Sequence, residues 1–397
     1  MFYKPFDLSI VNNTAQAAFA LSVLTLFTLP AATAAESNVE NEAEQKPALE
    51  ISGKVMVDVR QADDLFLDDD FEDALLRRLD LTAEYTFSEL WSAELQVAYD
   101  QIEEKIEVKD ASIKSKYFSA FNVTVGQFKE PMGLEYLTSS TKVGAMERSM
   151  ATNTFAPKRN VGIMLSDNQK RYTWAVGVFN NSEDIDFKQT AITARATYNK
   201  KFLLPFSQTN KFRLHLGLSA TSRNQDPDDS IRINEDLELY GSNSIIESEK
   251  IDATDQSTTG LEFAFIAERV VLQGEYFNQK VTADPNSSDL NSQYDGFYTQ
   301  MTYTLTGEGM DYKNGKLGGI KPESDYGALS LVVRYGELNA RDNYDGTEAT
   351  SLYYGLNYTY SKHLRAQLGY QQADISGKNA LLINQGSATS LRLQYSF

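Results

Sequence analysis

The chain has no cysteine, two histidines and nine prolines among its 397 residues. The lack of cysteine excludes disulfide staples, thiol catalysis and cysteine-based metal sites. With two histidines, a histidine-rich metal site is not expected either, and no metal or cofactor is predicted. A mean hydropathy of -0.40 excludes a protein built from many transmembrane helices. It does not exclude a membrane-spanning β-barrel, because barrel strands expose only alternate residues to lipid.

The chain is rich in acidic and in aromatic residues. Its formal net charge of -18 argues against nucleic-acid binding. The 22 tyrosines and 21 phenylalanines favour β-strands and the aromatic girdles of a membrane barrel.

The N-terminus has the pattern of a segment that is removed on export. An apolar run at residues 17–29 is too short to span a bilayer comfortably. Pro30 ends the run, and Ala32-Thr33-Ala34 supplies an A-x-A cleavage site. We therefore predict a signal peptide over residues 1–35 and a short flexible periplasmic tail over residues 36–48. The alternative is an N-terminal membrane anchor.

From Leu49 onward, apolar and polar residues alternate. Residues 49–60 place Leu49, Ile51, Val55, Val57 and Val59 on one face and mostly polar side chains on the other. A period of two over this length predicts a β-strand. About 16 such segments follow one another, and many are near the 9–11 residues that cross a bilayer with tilt.

The connections between these segments also alternate in length. Short ones, such as 88–90 and 361–363, resemble periplasmic turns, whereas long ones, such as 222–257 and 307–325, resemble outer loops. The sequence therefore predicts an all-β fold, a transmembrane antiparallel β-barrel of about 16 strands over residues 49–397. A soluble β-sandwich or β-helix would alternate too, but it would not usually combine these features with a signal leader and a terminal aromatic residue.

The last residues, 391–397, have apolar side chains at every second position and end on Phe397. This resembles the sorting signal that the barrel-assembly machinery reads on bacterial outer-membrane proteins. A buried last strand of another β protein is the alternative.

Residues 126–160 read GQFKEPMGLEYLTSSTKVGAMERSMATNTFAPKRN, a long connection without sustained periodicity. Structureless connections of this length are usually functional. The segment resembles a signature of the phosphate-selective porin O/P family, and LLRRLDLTAEYTF and VKDASIKSKY resemble two of its strands. The resemblance implies an outer-membrane porin, a homotrimer, and a constriction loop over residues 129–159 that folds into the lumen. We call this segment the inward loop.

If the apolar face of each strand meets lipid, the other face lines the lumen. Arginine on the lipid face near the midplane would cost roughly 2–4 kcal/mol. This assigns a set of basic residues to the interior: Lys54, Arg60, Arg78, Arg195, Arg213, Arg334, Arg365 and Arg392. The same rule places Asp58, Asp80, Glu84, Glu94 and Asp110 there. Guanidinium groups stay charged and offer several donors to an oxyanion, so they can form an anion track. The alternative is a structural network of ion pairs.

The resemblance adds further candidates. Arg77 and Arg78 match the family's paired arginines, and Asp110 stands where the family has an acidic residue near the constriction. The inward loop contributes Lys129, Tyr136, Ser139, Ser140, Lys142, Arg148, Lys158 and Arg159. The segment Thr138-Ser139-Ser140 could coordinate an anion through amides and hydroxyls, or could only form turns. Lys129 and Glu130 could simply pair.

Two positions depart from the family pattern. Phosphate-selective members have a lysine where this chain has Tyr136 and an arginine where it has Gln127. Both departures remove positive charge near the expected constriction.

The leading prediction is a porin for passive diffusion of small hydrophilic solutes, with anions such as phosphate preferred. The alternatives are a general or cation-preferring porin and, further off, a structural or adhesive barrel with a plugged lumen. An outer-membrane enzyme is not predicted, because His215 and His363 have no nucleophile in a recognisable motif. The expected partners are membrane lipid, lipopolysaccharide, small inorganic anions or other small solutes, copies of the same chain, and the barrel-assembly machinery.

Overall fold

The computed structural model describes residues 47–67, 71–101, 104–180, 189–203, 211–225, 230–342, 345–377 and 383–397. The predicted signal peptide, and all but the last two residues of the predicted tail, lie outside the described residues. Within the described part of the chain, no helix is long and apolar enough to cross a membrane.

Sixteen long strands form a closed antiparallel barrel in which the last strand pairs with the first. In chain order the elements are β1 (Ala48–Ala62), β2 (Phe71–Ser88), β3 (Trp91–Asp100), β4 (Lys105–Ser115), β5 (Asn122–Lys129), α1 (Leu134–Leu137), α2 (Met150–Phe155), β6 (Arg159–Asn168), β7 (Tyr172–Asn180), β8 (Thr190–Leu203), β9 (Lys211–Asn224), β10 (Ser230–Ile231), β11 (Asn234–Asp236), β12 (Ser244–Glu247), β13 (Ile251–Ala267), β14 (Val270–Ala283), β15 (Ser292–Thr304), β16 (Met310–Lys313), β17 (Lys316–Ile320), β18 (Ala328–Asn339), β19 (Thr347–Thr359), β20 (Leu364–Gly377) and β21 (Gln385–Ser396). The wall consists of β1–β9, β13–β15 and β18–β21. The predicted fold class is confirmed.

The alternation of side chains has the predicted orientation. In β1, Val57 and Val59 are exposed on the outside of the barrel, while Asp58 and Arg60 are buried inside it. Because successive side chains of a strand point to opposite faces, every wall strand offers lipid one set of residues and the lumen the other.

Two of the β-bulges in the described wall strands add side chains to the lumen. In β2, Leu76 and Arg78 pair with consecutive residues of β1, so Arg77 is an extra residue. In β4, Lys109 is extra in the same way. The side-chain amide of Gln127 donates to the carbonyl of Lys109 at 3.0 Å, which helps satisfy the bulged backbone. Since a bulge leaves one residue unpaired and bends the strand, two adjacent residues can both contribute side chains to the lumen.

Three of the connections that the structure describes enter the lumen. The inward loop joins β5 to β6, and residues 230–250, which we call the crossing loop, lie between β9 and β13. Residues 305–327, which we call the inward hairpin, join β15 to β18 and contain β16 and β17. Strand β15 ends at the same end of the barrel as the short turns 89–90 and 268–269, because the strands alternate in direction. We call this the short-turn end, and the opposite one the long-loop end.

The prediction that 307–325 is an outer loop is therefore wrong. The connection is long because it folds back into the barrel, and length alone does not reveal at which end a connection lies.

An apolar core occupies one side of the lumen towards the long-loop end. It is formed where the inward loop and the crossing loop pack against the wall strands β13–β21. Its members include Leu65, Phe66, Met132, Met150, Phe155, Leu237, Leu239, Phe277, Leu338 and Ile375, all buried. Burial of this apolar surface fixes both loops in the lumen.

Candidate functional site

Arg334 of β18 ties two loops to the wall. Its Nη1 donates to Glu135 Oε1 of the inward loop at 3.2 Å. Its Nη2 donates to Glu238 Oε2 of the crossing loop at 2.6 Å. All three side chains are about 1% exposed, so this is a fully buried ion-pair network. Removal of one partner from such a network leaves an uncompensated buried charge and destabilises the fold.

The start of α1 is held by a second buried carboxylate. The amides of Leu134 and Glu135 both donate to Glu275 of β14, the second at 2.8 Å. The preceding Gly133 has φ 79°, and a Cβ there would lie 3.2 Å from the Glu275 carboxylate. Glycine therefore suits both the positive φ and the close approach of the two amides to the wall.

Glu147 of the inward loop is the meeting point of two arginines. Arg77 Nε and Nη2 donate to its carboxylate at 2.6 Å each, and Arg392 Nη2 donates to it at 2.6 Å. Arg392 also forms a bidentate pair with Asp58 at 2.7 and 2.6 Å. Burial alone would raise the pKa of Glu147, but the two arginines hold that pKa well below its usual range. The carboxylate therefore stays ionised and fastens the loop.

Arg365 reaches the tip of the inward loop and has no carboxylate partner among the described residues. Its Nη1 donates to the carbonyls of Thr141 and Val143 at 3.2 and 3.0 Å.

Next to β5, Glu130 accepts from Arg223 Nη2 at 2.6 Å. The predicted alternative of a Lys129–Glu130 pair is not formed, because Lys129 Nζ donates to the Tyr136 carbonyl at 2.6 Å.

The inward hairpin is fixed from the opposite wall. Arg195 of β8 pairs with Glu262 at 2.7 Å, and its Nη2 donates to the Gly315 carbonyl at 2.7 Å. His215 Nδ1 and the hydroxyl of Tyr312 lie 2.7 Å apart. Arg213 lies 4.6 Å from the ring of Tyr312. These contacts hold the tip of the hairpin inside the lumen.

The side of the lumen formed by β1–β8 is open. It contains a cavity of about 550 Å³ bounded by these strands, the inward loop and the tip of the inward hairpin. Nine cationic side chains line it: Lys54, Arg78, Lys109, Lys114, Lys129, Arg148, Arg159, Arg195 and Lys316. Four acidic side chains line it as well: Asp80, Glu84, Glu94 and Asp110. The cavity is therefore cationic although the whole chain is strongly acidic.

Some of these charges pair with one another. Lys54 lies 2.7 Å from Asp80, and Arg159 lies 2.8 Å from Asp110. Within the described part of the chain, four of the nine cations have no carboxylate within 4 Å, namely Lys114, Lys129, Arg148 and Lys316. Glu84 and Glu94 likewise have no cation within that distance among the described residues. The unpaired charges that face the cavity are thus mainly positive.

Lys316 is delivered to the cavity by the inward hairpin. Partial loss of hydration inside the barrel, together with nearby Arg195 and Lys114, lowers the pKa of Lys316 to about 8. The amine therefore loses its positive charge as the pH rises through about 8.

The predicted site residues fall into four groups. Ten line the open cavity: Lys54, Arg78, Asp110, Lys129, Tyr136, Ser139, Ser140, Arg148, Arg159 and Arg195. Two line a separate cavity of about 310 Å³ at the short-turn end: Lys142 and Arg365. Four form ion pairs with carboxylates and do not line the open cavity: Arg60, Arg77, Arg334 and Arg392. Arg213 packs on the inward hairpin.

Three cavity cations were missed by sequence reasoning. Lys114 lies on the same face of β4 as Asp110, so the alternation of the sequence could have assigned it to the lumen. Lys109 has the opposite parity and reaches the lumen through the bulge. Lys316 belongs to the hairpin that was assigned to the wrong end.

The hydroxyls near Tyr136 differ in their roles. Thr138 Oγ1 donates to the Leu134 carbonyl at 2.8 Å, so this hydroxyl caps α1. Ser140 Oγ is buried and has no hydrogen-bond partner among the described residues. The ring of Tyr136 lies between Lys129 at 4.7 Å and Arg148 at 5.4 Å. Two cations thus lie close to an aromatic ring in the lining of the open cavity.

The chain is similar to known porins in sequence and in fold. Residues 49–397 match the family model for phosphate-selective porin O and P. The chain is 27% identical to Porin O of Pseudomonas aeruginosa over 332 residues, which are 72% of this chain and 73% of that protein.

Two solved structures of low sequence identity share the fold. One is the trimer form of OmpT, an outer membrane protein of Vibrio cholerae, with a TM-score of 0.55 and 11% identity. The other is the anion-selective porin from Comamonas acidovorans, with a TM-score of 0.56 and 9% identity. Each comparison covers 89% of this chain and 100% of the other. Because the family model covers the whole barrel, the chain belongs to the phosphate-selective porin O and P family and is an outer-membrane porin.

Proposed function

We propose that the porin passes small solutes through the open side of its lumen and prefers anions. The observation that carries this proposal is the lining of the open cavity by nine cationic and four acidic side chains. Rings and tracks of one charge sign set the selectivity of water-filled pores. Solutes would diffuse through without a chemical step.

The preference is expected to be modest. Lys54 and Arg159 are paired with carboxylates, and Glu84 and Glu94 oppose the free cations. Phosphate is one anion that the lysines and Arg148 would attract, since guanidinium and ammonium groups donate to oxyanions. Tyr136 and Gln127 provide no positive charge, so tight phosphate binding is not expected.

The test is the reversal potential of the purified porin in planar bilayers under a chloride gradient, repeated with added phosphate. A reversal potential on the anion side, with partial block by millimolar phosphate, is the expected result. Cation selectivity would overturn the proposal. Anion selectivity without phosphate block would support the anion preference but would show that phosphate does not bind in the pore.

The assembly and processing of the chain are also proposed. A homotrimer is supported by the porin fold, since the OmpT neighbour has a trimer form. Light scattering of the detergent-extracted protein would contradict this if it gave the mass of a single chain. Residues 1–35 are proposed to be removed on export, and the intact mass of the purified protein would reveal a retained leader.

A further inference from the structure

The crossing loop spans the whole width of the barrel at its long-loop end. It leaves the wall between β9 and β13, which in the closed ring lie opposite β1 and β2. Its central residue Tyr240 nevertheless contacts β1, β2 and β3. The loop therefore divides the mouth of the barrel into two sides.

Tyr240 fastens the loop to the far wall through three different groups. Arg60 of β1 donates to its backbone carbonyl. The guanidinium of Arg77 lies 3.6 Å from the centre of its ring. Its hydroxyl donates to the carboxylate of Asp100 at the end of β3. A cation on the ring face and a hydrogen bond to a charged acceptor are both favourable in a partly buried setting.

Neighbouring contacts support the same position. The amide of Asn243 donates to the Phe66 carbonyl at 2.8 Å, which joins the crossing loop to the first long connection. Leu237 and Leu239, on either side of Glu238, are buried in the apolar core. One side of the loop is thus sealed by apolar packing, and a solute must enter on the other side, towards β4–β8.

We propose that Tyr240 determines the size limit of the pore by holding the crossing loop across the mouth. The ring also covers one face of Arg77, whose Nε and Nη2 donate to Glu147. Of the two adjacent arginines, Arg78 alone then lines the open cavity. The inference concerns the width of the mouth and does not depend on the sign of the charge preference.

The test compares three variants in bilayers and in liposomes. Tyr240→Ala removes the ring and the hydroxyl, whereas Asp100→Ala removes the acceptor of the hydroxyl and leaves the ring in place. Tyr326→Ala is the matched control, because Tyr326 is 86% exposed and lies at the short-turn end. Heat-modifiable migration on gels verifies that each barrel is folded.

We expect Tyr240→Ala to raise single-channel conductance about 1.5- to 2-fold and to admit larger neutral sugars in liposome swelling, because a wider mouth lowers the access resistance. Asp100→Ala should change both readouts in the same direction and by less, and Tyr326→Ala should match the unmodified protein. Wild-type conductance and sugar cut-off in folded Tyr240→Ala would overturn the inference. If Tyr240→Ala does not fold, the same outcome in Asp100→Ala overturns it.

Discussion

The two sides of the lumen use the same residue types for different purposes. On the filled side, towards β13–β21, wall arginines such as Arg334 and Arg392 are buried against carboxylates of the two loops. On the open side, towards β1–β8, cations such as Lys114 and Lys316 face a cavity without a carboxylate within 4 Å in the described residues. Strand parity places wall cations such as Arg334, Arg392 and Lys114 in the lumen. Whether one anchors a loop or faces a solute depends on where a loop brings an acid.

The contrast also has an energetic side. Ion pairs on the filled side are desolvated, so each partner is costly to remove, whereas charges on the open side keep much of their hydration. Substitutions on the filled side should therefore change stability, and those on the open side should change selectivity.

The largest effect is expected from Arg334→Met. This change leaves Glu135 and Glu238 buried without their shared partner, and we expect a loss of about 3–5 kcal/mol in unfolding free energy. Urea unfolding followed by tryptophan fluorescence measures it. The matched control is Arg232→Met, which breaks the partly exposed pair with Glu247 and should cost at most about 1 kcal/mol. Equal losses in the two variants would contradict the assignment of the filled side.

A smaller effect, on selectivity, is expected from Lys316→Gln. Loss of this charge should lower the anion-to-cation permeability ratio about two- to fivefold, because the amine faces the solute through water. Lys313→Gln is the control. Lys313 lies opposite Lys316 in the β16–β17 pairing but does not line the open cavity. Reversal potentials measure both. An equal shift in the two variants would mean that the hairpin acts only through its overall charge.

The selectivity should also depend on pH. The amine of Lys316 is charged below its pKa of about 8 and neutral above it. Anion preference should therefore be greater at pH 7 than at pH 9. Reversal potentials at the two pH values measure the change, and the Lys316→Gln variant should show a smaller one. A preference that rises with pH would contradict the role of this lysine.

The smallest effect is expected from Glu94→Gln, which removes a negative charge from the open side. Glu94 lines the cavity and has no cation within 4 Å among the described residues, so its loss should raise the anion preference by about twofold or less. Glu337→Gln, which changes an acid outside the open cavity, is the control. A fall in anion preference would show that Glu94 orders a nearby cation instead of opposing it.

Much of the fold followed from alternation alone. The apolar period of two placed all sixteen wall strands, and the inward loop was found from its resemblance to a known signature. Predicted strand ends were less accurate at the long-loop end. Strand β13, for example, begins at Ile251, whereas the predicted outer loop extended to residue 257.

The arrangement inside the lumen was less predictable. Strand parity assigned both Arg334 and Arg78 to the lumen. Arg334 is in fact buried against two carboxylates, whereas Arg78 lines the open cavity. The partners come from loop residues such as Glu135 and Glu238, whose positions depend on tertiary packing. The bulge at Lys109 and the direction of the inward hairpin have no local sequence signal.

The bulges at Arg77 and Lys109 suggest how the pore charge of such a barrel can change during evolution. A substitution can alter only the half of the wall residues that already face water. One inserted codon that is absorbed as a bulge adds a lumenal side chain and leaves the lipid-facing residues on both sides of it in place. Short insertions, usually disruptive in a strand, are then a route by which related pores acquire new ion preferences without remodelling their outer surface.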